Sequence, residues 1–174
     1  MTPLPWQREI AHAIQRAHVD AVAYVPDARL RGIVEALADG DAAGVQIRIL
    51  TREEECIAYA CGRLAAGGRP IVMMQCSGLG NALNALGSLS LPYGLGLPMV
   101  VSMRGTLGEG NPAQVPMGRA TPALLAAVAV QAFPLADPVR AHETMSGVME
   151  LAFRTGTGAA VVLEPALGGG REGD

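Results

Sequence analysis

Ile71-Val72-Met73-Met74-Gln75-Cys76-Ser77-Gly78-Leu79-Gly80-Asn81 runs from an apolar stretch directly into a glycine-rich turn and the start of a helix. A strand whose residues are apolar without alternation is covered on both faces, which is the habit of parallel sheets flanked by helices. The same grammar repeats on either side. Upstream, residues 20–25 and 45–50 read as strands, 28–38 as a helix with Leu30, Ile33, Val34 and Leu37 on one face, and 52–66 as a helix stopped by Gly67-Gly68. An amphipathic helix over 5–18 precedes them, with Trp6, Ile10, Ala13, Ile14 and Ala17 on its stripe. Downstream, the pattern predicts a helix over 80–91, a strand over 99–103, a helix over 122–130, a short strand near Phe133, a helix over 138–153 and a last strand over 159–163. Strand followed by helix, about six times over, predicts an α/β fold. The expected fold is a single doubly wound, mainly parallel six-stranded sheet with helices on both faces.

The bulk composition agrees with one domain. The chain has 174 residues, half of them hydrophobic but only 3% aromatic, so small aliphatic side chains must build the core. No repeat or internal boundary interrupts residues 1–166, and the glycine-rich 167–174 is expected to be a disordered tail. The net charge of −3 is spread along the chain, and no basic run or aromatic surface suggests nucleic acid. No apolar stretch is long enough to span a bilayer. The first residues lack the basic start and apolar run of a signal peptide, so the expected compartment is the cytoplasm. Cys56, Cys61 and Cys76 have no close metal-ligand pairing and are expected to be reduced and buried.

In doubly wound sheets, ligands bind at the carboxyl ends of the strands. Four segments therefore matter: Pro26-Asp27, Thr51-Arg52-Glu53, Cys76 to Asn81, and Arg104 to Gln114. The irregular stretch 105–118 is the longest loop expected in the chain. In the second segment, Glu53, Glu54 and Glu55 stand together at a helix start. Helical spacing separates them by about 100° each. Steps of four, seven, eight and eleven from Glu53 land on Ile57, Ala60, Cys61 and Leu64, the most apolar of the three stripes. Glu53 is thus the one expected to turn inward, where desolvation disfavours the charged form of a carboxyl. The simpler alternative is that all three complement the helix dipole. The glycine-rich turn at 77–81 could cradle a phosphate or admit a flat ring close to the backbone, or be a tight turn with Ser77 as a cap.

Four motifs resemble the pyrimidine-binding domain of thiamine-diphosphate-dependent decarboxylases, above all the α subunits of sulfopyruvate decarboxylase and the matching half of phosphonopyruvate decarboxylase. They are Val25-Pro26-Asp27, Thr51-Arg52-Glu53-Glu54-Glu55 with Gly62 nine residues after Glu53, Met74 to Asn81, and Arg104-Gly105 leading to Ala113-Gln114-Val115-Pro116-Met117-Gly118-Arg119. The resemblance spans residues 22–163 in the right order. It departs at Cys56, where relatives often carry glycine, at Cys76, where asparagine is usual, and at Met103, where histidine is common.

The resemblance implies thiamine diphosphate as cofactor. Glu53 would hydrogen-bond the aminopyrimidine ring and share the proton that activates the thiazolium, as catalytic and cofactor-binding residue. Pro26, Ser77, Gly78 and Asn81 would line the cofactor, and Asp27 would be catalytic, relaying protons near the reacting carbon. Gln114 would hydrogen-bond substrate. Arg104 first, then Arg52 and Arg119, would take the sulfonate or phosphonate of a small anionic 2-keto acid. No metal ligand is expected in this chain. The Mg2+ and diphosphate would be held by a partner β subunit in an even-numbered hetero-oligomer, since no Gly-Asp-Gly motif with room behind it occurs here. Two other readings stay open: a subunit of a carboligating thiamine enzyme, and a non-catalytic flavodoxin-like binding module.

Overall fold

The computed structural model describes residues 2–39 and 44–169. Six strands form one sheet: β1 (Ala21–Tyr24), β2 (Gln46–Ile49), β3 (Pro70–Gln75), β4 (Pro98–Ser102), β5 (Gln131–Leu135) and β6 (Ala159–Leu163). Their order across the sheet is β2-β1-β3-β4-β6-β5, and every pairing is parallel. The helices are α1 (Pro5–Arg16), α2 (Ala28–Asp39), α3 (Glu53–Ala65), α4 (Leu79–Ala85), α5 (Val115–Ala127) and α6 (Ala141–Thr155).

Two cores follow from the period of two in each strand. Ile71 and Met73 of β3 face one layer with Ile10 and Ile14 of α1, Leu30 and Ile33 of α2, and Met145 and Val148 of α6. Val72 and Met74 face the other, with Ile57 and Ala60 of α3, Leu79 and Ala82 of α4, and Leu125 of α5. The unbroken apolar run of β3 is therefore the mark of a strand with a full core on each side. Edge strands behave differently. β2 is mostly exposed, and β5 tolerates Pro134 because the outer side of an edge strand needs no ladder N–H.

The arrangement of helices positions the site. The chain leaves β1 for α2 on one face, then leaves both β2 and β3 for α3 and α4 on the opposite face. β1 lies between β2 and β3, so the starts of α3 and α4 stand on either side of its carboxyl end.

Three expectations change. The stretch 105–118 is not one long loop: a 3-10 turn at Pro112–Gln114 runs into α5, which begins at Val115. The helix expected from residue 122 thus begins seven positions earlier, and Pro122 lies inside it. The sequence signals misled because proline reads as a helix start; here it sits on an exposed position eight residues in. The helix expected over 80–91 begins at Leu79 and does not run evenly, since α4 passes into a π-turn at Leu86–Ser90. Of the expected tail, Leu167 is buried in the first core and closes a 3-10 turn at Pro165–Leu167. Residues 170–174 lie outside the described residues. Among the described residues no helix is long and apolar enough to cross a membrane.

Candidate active site

The three clustered glutamates separate into three tasks. Glu55 turns back on its own helix start, accepting from the backbone N–H of Thr51 and Arg52, both at 3.2 Å, and from the Thr51 hydroxyl at 2.9 Å. It caps α3. Glu54, half-buried like Glu53, pairs with the exposed guanidinium of Arg52. Glu53 alone crosses to the neighbouring helix: its Oε2 accepts from Asn81 Nδ2 at 3.0 Å. Its side chain lies flat over Gly78, where a methyl group would fall 2.2 Å from Oε1. Glycine at 78 is what lets the carboxylate of α3 reach the start of α4. The stripe below it is buried as the spacing predicted, with Ile57, Ala60 and Cys61 all in the core. Glu53 itself is half-buried, with one side open to solvent.

Asp27, at the end of β1, is more heavily engaged. Oδ1 accepts from the Ser102 hydroxyl at 3.0 Å and from the backbone N–H of Arg29 and Leu30 at 3.0 and 3.4 Å. Oδ2 accepts from Gln75 Nε2 at 2.8 Å. The residue caps α2 and ties the carboxyl ends of β1, β3 and β4 together. Pro26 beside it is exposed. Gln75 in turn accepts from the Ser77 hydroxyl at 2.7 Å, so Asp27, Gln75 and Ser77 form one chain of hydrogen bonds. Gln75 and Ser102 received no role from the sequence. Their position as last residues of β3 and β4 was the available signal.

The residues expected to meet an anionic substrate are placed as follows. Arg52 is directed outward to Glu54, its side chain 63% exposed. Arg119 is exposed on α5. Arg104 is already engaged by a forked carboxylate: Nε meets Glu109 Oε2 at 2.7 Å and an Nη meets Oε1 at 2.9 Å. Glu109 also accepts from the backbone N–H of Gly105 and Asn111, at 3.1 and 2.9 Å. First Arg104, then these two amides, hold the Glu109 carboxyl far below the usual carboxylate range. Sequence reasoning missed Glu109, which no motif contains. The pair forms one wall of a cleft of about 690 Å³ at the carboxyl ends of β4 and β6, which Arg29 and Glu164 also line. Gln114 precedes the first residue of α5, and its Oε1 is buried with no hydrogen-bond partner among the described residues.

Glycines close the site's frame. Gly105 has a φ of +72°, and a methyl group there would lie 2.2 Å from the Gln114 carbonyl oxygen. At Gly118 a methyl group would lie 2.1 Å from the Arg104 carbonyl oxygen. The Arg104-Gly105 corner is thereby seated in the first turn of α5. Met117 of that turn lies over the start of α4, where a methyl group on Gly80 would fall 3.2 Å from its Cε. The starts of α3, α4 and α5 thus form a continuous rim.

All three cysteines are buried. Burial pushes the Cys56 thiol up to about 12 and the Cys61 thiol up to about 11, and raises that of Cys76 as well. Cys76 Sγ accepts from the Arg104 N–H at 3.3 Å, which splices β3 to β4. These are core thiols, as the sequence led us to expect. Met103, the third departure, is buried. Among the described residues no group of three or more His, Cys, Asp or Glu side chains could hold a metal ion.

The sequence is 38% identical over 148 residues to the sulfopyruvate decarboxylase α subunit of Methanothermobacter thermautotrophicus, spanning 85% of this chain and 88% of that one. It is 36% identical to the corresponding subunit of Methanococcus maripaludis, over 87% of this chain and 90% of the relative. The chain belongs to the sulfopyruvate decarboxylase α-subunit family. Within that family the resemblance seen in the four motifs extends over most of the length. A sulfopyruvate decarboxylase of Methanosarcina acetivorans matches 68% of this chain at 33% identity, but the match fills only 30% of that protein. The fold is shared with a 2-oxoglutarate:ferredoxin oxidoreductase from Magnetococcus marinus, at a TM-score of 0.69 and 12% identity, over 91% of this chain and 28% of that one. No family model matches the sequence.

Proposed function

We propose that the chain is the α subunit of a thiamine-diphosphate-dependent decarboxylase that converts sulfopyruvate to the aldehyde and carbon dioxide with a diphosphate-binding β subunit. The observation that carries this reading is Glu53, a carboxylate laid over Gly78 and held by Asn81 at the carboxyl edge of the sheet. Membership of a family whose relatives are named as sulfopyruvate decarboxylase α subunits supports the substrate and the need for a partner.

The side chains present suit the aminopyrimidine end of such a cofactor. A carboxylate with one oxygen fixed by Asn81 presents the other in a set direction. Gly78 leaves room for the Glu53 carboxylate itself, and the buried Gln114 Oε1 is an acceptor lacking a donor. When bound, thiamine diphosphate supplies the carbon nucleophile and electron sink for loss of carbon dioxide. The chain's own contribution is to accept and return a proton at Glu53, with Asn81 orienting that carboxylate and Asp27 bracing the strand ends. Arg104 would meet a sulfonate only by sharing or exchanging its Glu109 partner, since both react through the same forked donors.

The test is co-expression with a β subunit and measurement of carbon dioxide release from sulfopyruvate, phosphonopyruvate and pyruvate. Glu53→Gln in that complex is expected to lower turnover by about 10²–10⁴-fold, the usual worth of a positioned proton carrier, with assembly unchanged. Near-normal turnover in the variant, or efficient decarboxylation by the chain alone, would overturn the proposal. A condensed product in place of the aldehyde would move the assignment to carboligation.

A further inference from the structure

Gln75 lies between the two ends of the candidate site, and its neighbours determine which way its amide points. The backbone N–H groups of Arg29 and Leu30 can only donate, so Asp27 Oδ1 must accept. Its other oxygen, Oδ2, faces Gln75 at 2.8 Å, and a carboxylate oxygen requires a donor there. Gln75 therefore presents its NH2 to Asp27 and its carbonyl oxygen to Ser77. That carbonyl, 2.7 Å from Ser77 Oγ, cannot donate. The single hydroxyl proton of Ser77 is thus committed to Gln75, and only lone pairs remain on the outward side of Oγ.

We infer that Gln75 is a positioning residue that, anchored on Asp27, sets Ser77 as a hydrogen-bond acceptor toward whatever the site binds. The ligand group that meets Ser77 must then be an N–H or O–H donor. This rests on the reading of the site as a thiamine diphosphate site, whose aminopyrimidine carries a donor of that class. A neutral hydroxyl with a free rotor would accept or donate indifferently. The chain from Asp27 removes that freedom before the ligand arrives, which lowers the ordering cost of binding.

The experiment measures thiamine diphosphate affinity by calorimetry in the complex with the β subunit, for wild type, Gln75→Met, Ser77→Ala and the double variant. Each single variant is expected to weaken binding by about 2–13-fold, the scale of one neutral hydrogen bond. The double variant should be no more than about twofold worse than the weaker single one, because Gln75 acts through Ser77. Gln75→Glu is isosteric and keeps the test open if Gln75→Met fails to assemble. It places a second carboxyl against Asp27, which is tolerated only when the pair holds a proton. Its affinity should therefore recover as pH falls from about 8 to about 6, and that recovery should vanish in the Ser77→Ala background, an outcome that a merely structural role would not produce. Additive effects of the two single variants, or wild-type affinity in Gln75→Met, would overturn the inference about Gln75 alone. A wild-type complex that binds no thiamine diphosphate would instead remove the proposed function on which it stands.

Discussion

Glu53 and Gly78 are two halves of one contact. A carboxylate on α3 reaches the start of α4 only because residue 78 has no side chain. Gly78→Ala is expected to displace Glu53 and cost activity about as much as Glu53→Gln, while overpacking lowers stability by about 1–3 kcal/mol. Steady-state turnover and thermal melting of the same complex check the two parts separately. The cysteines make the opposite point. Their thiols are raised by burial to about 12 at Cys56 and about 11 at Cys61, so they stay neutral and covered. Thiol reagents at about pH 8, near the ordinary thiol value, should leave all three unlabelled in the native chain and label all three once it is unfolded. Rapid native labelling of Cys76 would show that the core opens there. At this scale much was legible in the sequence: the stripe Ile57, Ala60, Cys61 is buried as its spacing predicts, and Glu53 stands at its head. The role of Glu109 was not legible, because a bidentate partner five residues away from Arg104 depends on how the intervening chain folds back.

Among elements, α5 is where local signals and structure part. Pro122 lacks the N–H that would bond the carbonyl of residue 118, yet the helix continues through it. Helix packing and the seating of Gly118 against Arg104 outweigh that local loss. Pro122→Ala should therefore stabilise the chain, by about 1–2 kcal/mol once the greater freedom of the unfolded chain is subtracted. A fall in melting temperature would show that the proline is needed for the helix's path. The segment before α5 is held by the Arg104–Glu109 pair. Glu109 titrates lower when folded than when unfolded, so its contribution is present above the unfolded carboxyl value of about 4.3 and is lost as pH falls through the lower folded value. Glu109→Gln should flatten the loss of melting temperature below about pH 4.3 relative to wild type. Parallel pH–melting curves for the two proteins would contradict this.

For the whole molecule, the decisive feature is that β1 lies between two strands whose helices go to the face opposite its own. That arrangement opens a gap over the end of β1, and Glu53, Gly78 and Asn81 meet there. Ligand crevices in doubly wound sheets arise where neighbouring strands send their connections to opposite faces. The site is also open on its outer side, with Glu53 half-buried and Pro26 exposed. A surface of that kind accords with a second subunit completing it. Mixing separately purified α and β chains should restore decarboxylation that neither shows alone, and titration of one into the other gives the stoichiometry.

By itself the sequence determined the parallel sheet, because runs such as Ile71 to Met74 can only be buried on both faces. It also determined which face of α3 is buried, because helical period is a local property, and it carried the motifs of the α-subunit family. The tertiary structure alone decided which groups are already committed to one another. Arg104 is taken by Glu109, Arg52 by Glu54, and Asp27 by four donors drawn from α2, β3 and β4. Hydrogen bonds between distant segments depend on strand order and register, and neither the spacing nor the composition of a chain records those.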